Sequence, residues 1–132
     1  MIYSNYITSN LLGEILFQCA RKTYTKDFKA SSETINQLID YIKENYNKKI
    51  TNKIIGNRFN LHPNYISSLV KGFTGMPLHQ YVMYVRVSIS VEMLSTQNYS
   101  ISEIAEKCGF SNIYHFSKVF KKIIGVSPSK YK

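Results

Sequence analysis

Residues 101–131 read ISEIAEKCGFSNIYHFSKVFKKIIGVSPSKY, and their pattern predicts two short helices joined by a tight turn. Ser100 and Glu103 have the S-x-x-E spacing of a capping box, so the first helix is expected to begin there. Gly109 suits the left-handed backbone of a turn. Asn112 is expected to begin the second helix and Gly125 to end it. The apolar face of that helix consists of Phe116, Val119, Phe120 and Ile123.

The same arrangement occurs once more, about fifty residues upstream, over residues 51–75, where Thr51 is expected to cap the first helix. In each copy a small residue stands where the two helices cross, and a residue that tolerates positive φ stands in the turn. Polar residues follow at the start of the second helix, as in a helix-turn-helix whose second helix enters the major groove of DNA. Two ordinary helical hairpins are the alternative, which the repetition in a basic chain disfavours. The equivalent pairs are Ile55 with Ile104, Gly56 with Ala105, Asn60 with Gly109, Leu61 with Phe110, Ile66 with Phe116, Ser67 with Ser117, Lys71 with Lys121 and Gly75 with Gly125.

Apolar residues also follow a helical period between Ile35 and Tyr46 and between Leu78 and Met93. The first series predicts a helix that becomes regular from Ser32. The second predicts a linker helix of roughly 28 Å, which would hold two units about one DNA turn apart. No segment shows sustained strand alternation. We therefore predict an all-α fold of about seven helices, with a first helix-turn-helix subdomain over 33–76, the linker helix over 77–95 and a second subdomain over 96–132.

Residues 1–32 lack this regularity. The stretch NLLGEILFQCAR at 10–21 predicts a short helix with apolar residues on more than one side, which needs a partner surface. Residues 22–32 are polar and predict a linker. About thirty residues are too few for a ligand pocket, so the helix at 10–21 is expected to contact another domain or a dimer partner.

The chain is strongly basic, with 17 Lys and Arg against 8 Asp and Glu and a net charge of +9. The excess is densest in residues 96–132, which carry six basic and two acidic residues. A surplus of this size favours a polyanionic partner, with nucleic acid before membrane. Cys19 and Cys108 lie far apart in apolar stretches and are expected to be reduced core thiols.

Other classes of function lack the residues that would support them. The three histidines have no metal-ligand spacing, and we expect no metal or cofactor. No stretch approaches the roughly 20 apolar residues of a membrane span, so we expect no membrane partner. The sequence contains no carboxylate pair with a shared site, no nucleophile–His arrangement and no phosphate-binding glycine loop, which makes an enzyme the weakest hypothesis.

At these motifs the chain resembles the DNA-binding domain of the AraC/XylS family of bacterial transcription regulators. The resemblance covers about residues 33–132, and its most specific part is the signature in residues 101–131. A second part is the G-x-P-x-x-x-Y…R arrangement of Gly75, Pro77, Tyr81 and Arg86. The resemblance implies seven helices and a third and a sixth helix that enter adjacent major grooves of promoter DNA. Because most members of the family carry a separate regulatory domain before this one, it also implies that residues 1–32 are the tail of such a domain, missing or truncated here. A natural stand-alone regulator is the alternative.

The resemblance also implies which residues face the DNA. On the third helix the base-facing residues would be His62, Asn64, Ser67 and Ser68, and on the sixth Asn112, Ile113, Tyr114, Ser117 and Lys118. Lys71, Lys121 and Lys122 would lie nearer phosphates. His115 occupies an aromatic position of the family and is expected to pack, with a phosphate contact as its DNA-binding role. For Arg86 a structural ion pair and a DNA contact are both open, and Tyr65 and Tyr131 are expected in the core or at its rim.

The first unit departs from the family pattern. Ser68 stands where Arg is common, Val70 where Phe is usual, and Gly56 where Ala is usual. Ile54 replaces an acidic residue, and Ser90 replaces an Ala on the linker helix. Because Ser68 cannot grip guanine as Arg does, we expect the first unit to anchor phosphates and the second to carry more of the sequence specificity.

The leading hypothesis is a sequence-specific regulator of transcription, an activator, that binds double-stranded promoter DNA in the bacterial cytoplasm at the nucleoid. RNA polymerase is a further candidate partner. One alternative is a non-specific architectural or RNA-binding protein, which would show little sequence discrimination. Another is a protein-interaction module, which would bind DNA no better than its charge alone predicts.

Overall fold

The computed structural model describes the backbone of residues 27–132 and the side chains from Ser32 onward. This part of the chain consists of helices, turns and loops without a strand, which confirms the predicted all-α class. Its seven helices are α1 (Asp27–Asn45), α2 (Asn52–Phe59), α3 (Pro63–Thr74), α4 (Leu78–Thr96), α5 (Ile101–Lys107), α6 (Ile113–Ile124) and α7 (Pro128–Tyr131).

The helices begin at the predicted capping residues. Thr51 Oγ1 accepts a hydrogen bond from the N–H of Ile54 at 3.1 Å, and Asn112 Oδ1 accepts one from the N–H of His115 at 2.8 Å. Ser100 forms both hydrogen bonds of its predicted capping box. Each cap satisfies a backbone donor that the first turn of a helix leaves without a partner. The starts of α2, α5 and α6 are therefore encoded locally.

The start of α1 differs from the sequence-based expectation. The helix already begins at Asp27, within the stretch 22–32 that was predicted to be a linker. Residues 27–32 have no apolar period, but they contain neither glycine nor proline, so nothing in them stops a helix. The predicted helix at 10–21 and the predicted core position of Cys19 lie outside the described residues.

The long helix α4 is shared between two hydrophobic cores. Its first half, from Leu78 to Val85, packs with α1, α2 and α3. Its second half, from Val87 to Leu94, packs with α5 and α6. The change of partner falls at Arg86. One continuous helix thus carries both helix-turn-helix units and sets their separation.

Aromatic rings fill the second core. Phe110, Phe116 and Phe120 are buried as predicted, and their rings contact one another in sequence with centroids 5.0 and 5.7 Å apart. Val119, predicted for the same core, is only partly buried because it lies at the edge facing α4. Tyr131 packs edge-on against Phe120 at 5.7 Å, which confirms its predicted place at the rim.

Candidate nucleic-acid interface

The turns of the two units are built by the same hydrogen bond. Leu61 donates its N–H to the carbonyl of Gly56 at 2.9 Å, and Phe110 donates to the carbonyl of Ala105 at 3.0 Å. The residue before each donor has a left-handed backbone, as predicted: Asn60 has φ 56° and Gly109 has φ 92°. The repeat read from the sequence is therefore a repeat of backbone geometry, and α3 and α6 are the equivalent second helices.

The two turns differ in length by one residue, and Gly56 accommodates the difference. Three residues (60–62) separate α2 from α3, and five (108–112) separate α5 from α6. Because Cys108, the first of the five, still has the αR backbone of a helix, the second turn is effectively four residues long, one more than the first. A Cβ on Gly56 would lie 2.6 Å from the carbonyl oxygen of Leu61. Gly56 is therefore a steric requirement of the shorter turn.

Helix α3 exposes a short polar face. Asn64, Ser68 and Lys71 are exposed and Ser67 is partly exposed, whereas Ile66 and Val70 on the opposite side are buried. His62 is exposed, but its Nδ1 is occupied, because it accepts a hydrogen bond from the N–H of Asn64 at 3.1 Å and so caps the helix. The predicted α3 contacts therefore share one surface, which carries little charge.

Helix α6 exposes a larger and more basic face. Tyr114 is 83% exposed, and Lys118 and Lys121 follow it at intervals of four and three residues, which places the three on one side of the helix. Neither α6 nor α3 contains an acidic residue. Ile113 and Ser117 are partly exposed beside this row. The surface can contact both base edges and phosphates.

Three other predicted residues have additional contacts. The Oδ1 atom of Asn112 is occupied as the α6 cap, so its amide nitrogen is the part of the side chain left to contact DNA. The ring of His115 packs edge-on against Phe110 at 5.6 Å. Lys122 lies away from the exposed row of α6, where it lines a groove of about 390 Å³ between α4 and α6 with His79 and Met83.

Arg86 has neither of the roles that the sequence left open. It is 8% exposed, which removes it from any DNA surface, and its guanidinium donates hydrogen bonds to the backbone carbonyls of Tyr46 and Lys48 rather than to a carboxylate. A signal for this was present in the sequence, since Arg86 is the one Lys, Arg, Asp or Glu in the apolar stretch 78–91. Tyr65, expected in the core or at its rim, is 42% exposed on α3.

The described residues offer little to other kinds of site. No group of three or more His, Cys, Asp or Glu side chains within residues 32–132 is placed to hold a metal ion. Among the helices α1 to α7, none is both long and apolar enough to span a membrane. Cys108 is buried, and burial raises the pKa of its thiol to about 12, which disfavours the reactive thiolate.

Comparison with known proteins places these features in a family. A family model described as a helix-turn-helix domain matches residues 55–132. The Msm operon regulatory protein of Streptococcus mutans is 32% identical over 98 residues, which are 74% of this chain and 35% of that protein. The chain thus spans about a third of the length of the curated relatives it matches.

Solved structures show the same fold. The C-terminal domain of AraT, a response regulator from Geobacillus stearothermophilus, is 28% identical with a TM-score of 0.70, and the match covers 74% of this chain and 81% of that one. The DNA-binding domain of AdpA, solved in complex with a target DNA, has a TM-score of 0.69 over 74% of this chain and 87% of that one. At 22% identity the second likeness shows the fold alone. Taken with the duplicated turn and the shared α4, these matches show that the chain belongs to the AraC-type helix-turn-helix family of transcription regulators.

Proposed function

We propose that this chain is the DNA-binding part of a bacterial transcription regulator, and that it binds double-stranded promoter DNA by placing α3 and α6 in successive major grooves. The observation that carries the proposal is the pair of exposed, acid-free helices, α3 and α6, held on one continuous helix by two turns of the same geometry. A recognition helix enters the major groove with its N-terminal residues against base edges. In both units the exposed polar side chains begin at this end of the helix, with Asn64 in α3 and with Asn112 and Tyr114 at the start of α6.

The two units are proposed to contribute unequally. Helix α6 presents Tyr114, Lys118 and Lys121 in one exposed row, whereas the corresponding surface of α3 has serines and a single lysine. Lysine can donate to the acceptor atoms of guanine, whereas the serine hydroxyl is shorter and reads bases less selectively. The second unit is therefore the main reader of sequence, and the first unit adds phosphate contacts that fix the position of the protein on the duplex.

The part of the relatives that this chain does not match suggests which domain controls the regulator's activity. AraT is described as a response regulator, and a sensing or dimerising domain attached to this chain would supply the signal. Activation through RNA polymerase in the cytoplasm is the mode we propose, since a domain bound beside a promoter can contact the polymerase. The segment 10–21 is the proposed connection to such a domain.

A binding titration tests the proposal. The ligand is a duplex carrying the best sequence from a selection on random DNA, and a scrambled duplex is the comparison. Regulators of this kind bind their specific sites at least roughly a thousandfold more tightly than non-specific DNA. Lys118→Ala should abolish most of this ratio, whereas Lys43→Ala, which removes the same charge from exposed α1, should leave it intact. Equal binding of both duplexes, falling steeply with salt, would favour an architectural protein instead.

A further inference from the structure

Arg86 stands at the point where α4 passes from one core to the other. Val85 belongs to the first core and Val87 to the second. Within the described residues, Arg86 is the one charged side chain that is buried. Burial lowers the pKa of its guanidinium, but arginine remains protonated in proteins. A buried charge without hydrogen-bonding partners is strongly unfavourable. The hydrogen bonds of the Arg86 guanidinium therefore indicate which part of the structure it stabilises.

The guanidinium binds the first unit. Its Nε donates to the carbonyl of Tyr46 at 2.6 Å, and its Nη2 donates to the carbonyl of Lys48 at 2.9 Å. Both carbonyls follow the C-terminal end of α1, where a helix leaves its acceptors without intrahelical partners and carries partial negative charge. Two charge-assisted hydrogen bonds from a planar group fix the loop 46–48 in both position and direction.

The same loop touches the turn of the second unit. The Cα of Gly109 lies so close to Asn47 that a Cβ on Gly109 would come within 2.8 Å of the Asn47 Cα. The Arg86 guanidinium carbon lies 5.8 Å from the centre of the Phe110 ring, within the range of a cation–π contact. Loop 46–48, Arg86 and the turn 109–110 therefore form one junction between the units, which we call the brace.

The brace acts close to the start of a recognition helix. Asn112, the cap of α6, follows Phe110 after a single residue. A displacement of loop 46–48 would release the turn 109–110. The direction of α6, which starts just after this turn, would then no longer be fixed. We propose that Arg86 is a positioning residue that fixes the rotation and separation of α6 relative to α3, and thereby sets the spacing of the two DNA half-sites that the protein accepts. This inference rests on the proposed function but concerns a residue that touches no DNA.

The test compares sites with altered spacing. One added base pair between the half-sites moves the second by about 3.4 Å and rotates it by about 34°. For the unaltered chain we expect this change to weaken binding at least as much as one mismatched base pair, roughly tenfold. Arg86→Met, which keeps the length of the side chain and removes its donors, should bind the optimal site more weakly and lose most of the spacing penalty. Lys48→Ala removes a neighbouring charge but keeps the accepting carbonyl, so its penalty should equal that of the unaltered chain.

Binding to an isolated second half-site separates positioning from folding. Arg86→Met should bind this half-site as the unaltered chain does, because α6 and its core are intact. Equal losses on the half-site and the full site, or an unchanged spacing penalty, would overturn the proposal. If the unaltered chain discriminates sequence but not spacing, the brace is refuted and the proposed function stands. If it discriminates neither, the proposed function itself fails.

A distance measurement without DNA tests the proposal independently of DNA binding. Spin labels at Lys43→Cys and Lys130→Cys, which are exposed positions in the two units, report the distance between them. In a Cys19→Ser background, buried Cys108 remains unlabelled. The distance distribution should be narrow and should broaden with Arg86→Met, and an unchanged width would refute the brace. If Arg86→Met does not fold, Arg86→Lys, which keeps the charge without the planar fork, is subject to the same criterion.

Discussion

Replacing Gly56 by alanine should destabilise the protein, although the same change stabilises most helices. Alanine gains about 1 kcal/mol over glycine in a helix interior. Here the added Cβ would lie 2.6 Å from the Leu61 carbonyl oxygen, whereas ordinary contact begins at 3.4 Å. The obstacle is backbone, held in place by the hydrogen bond from Leu61 to Gly56, so it cannot rotate away. Overpacking typically destabilises by about 1–3 kcal/mol, so we expect a net loss of up to about 2 kcal/mol.

The equivalent residue of the second unit provides the matched control. Ala105 stands in the longer turn, and Ala105→Gly should lose only the helix propensity, about 1 kcal/mol. Both substitutions therefore destabilise, for opposite reasons. Thermal unfolding followed by circular dichroism measures the difference, because 1 kcal/mol shifts the Tm of a domain of this size by roughly 4–8 °C.

Lengthening the first turn should reverse the effect of the substitution. One residue inserted between Leu61 and His62 gives the first turn the length of the second. In that background Gly56→Ala should be neutral or stabilising, even if the insertion itself lowers the Tm. A Gly56→Ala variant that is more stable than the unaltered chain, with its natural turn length, would refute the steric argument.

The remaining predictions concern the cap of α6, its phosphate contacts and the buried thiol. Asn112→Ser keeps a capping oxygen and removes the amide, so it should weaken only sequence-specific DNA binding, which a DNA titration measures. Asn112→Ala removes the cap as well, so thermal unfolding should also show a loss of stability of about 1 kcal/mol. Lys121→Ala should reduce the slope of log affinity against log salt by about 0.9, if it contacts one phosphate. The thiol of Cys108 has a pKa of about 12 when folded against an ordinary value of 9.0, so its contribution to stability is complete below pH 9 and is lost progressively from pH 9 to 12. Urea titrations at pH 8 and pH 10.5 should therefore show a larger decrease for the unaltered chain than for Cys108→Ala.

Local signals made much of the fold predictable. The caps at Thr51, Ser100 and Asn112 and the left-handed positions at Asn60 and Gly109 depend on a few adjacent residues, so short-range chemistry located the helix boundaries. The repeat then identified α3 and α6 as equivalent helices. The predicted start of α1 was wrong, because residues 27–32 are mostly polar and have no apolar period from which a helix could be recognised. They also contain no helix breaker, so the helix extends through them.

The candidate site was less fully predictable. The exposed row on α6 follows from helical period alone, but the capping role of His62 and the groove position of Lys122 depend on side-chain placement. The bonds of Arg86 join residues 38 and 40 positions apart, and no local pattern encodes their partners. The steric role of Gly56 likewise depends on the length of a turn that lies after it. Such long-range contacts are decided by packing rather than by propensity.

The unequal turns also restrict the mutational paths that connect the two units. If both descend from one ancestral unit with the longer turn and an alanine, the two possible orders of the deletion and the change to glycine are not equally favourable. Glycine first costs only helix propensity, about 1 kcal/mol, and leaves a folded intermediate. Deletion first brings the alanine methyl against a backbone oxygen. The substitution at position 56 is therefore expected to precede the shortening of the turn, and reversion to alanine is disfavoured for as long as the turn stays short.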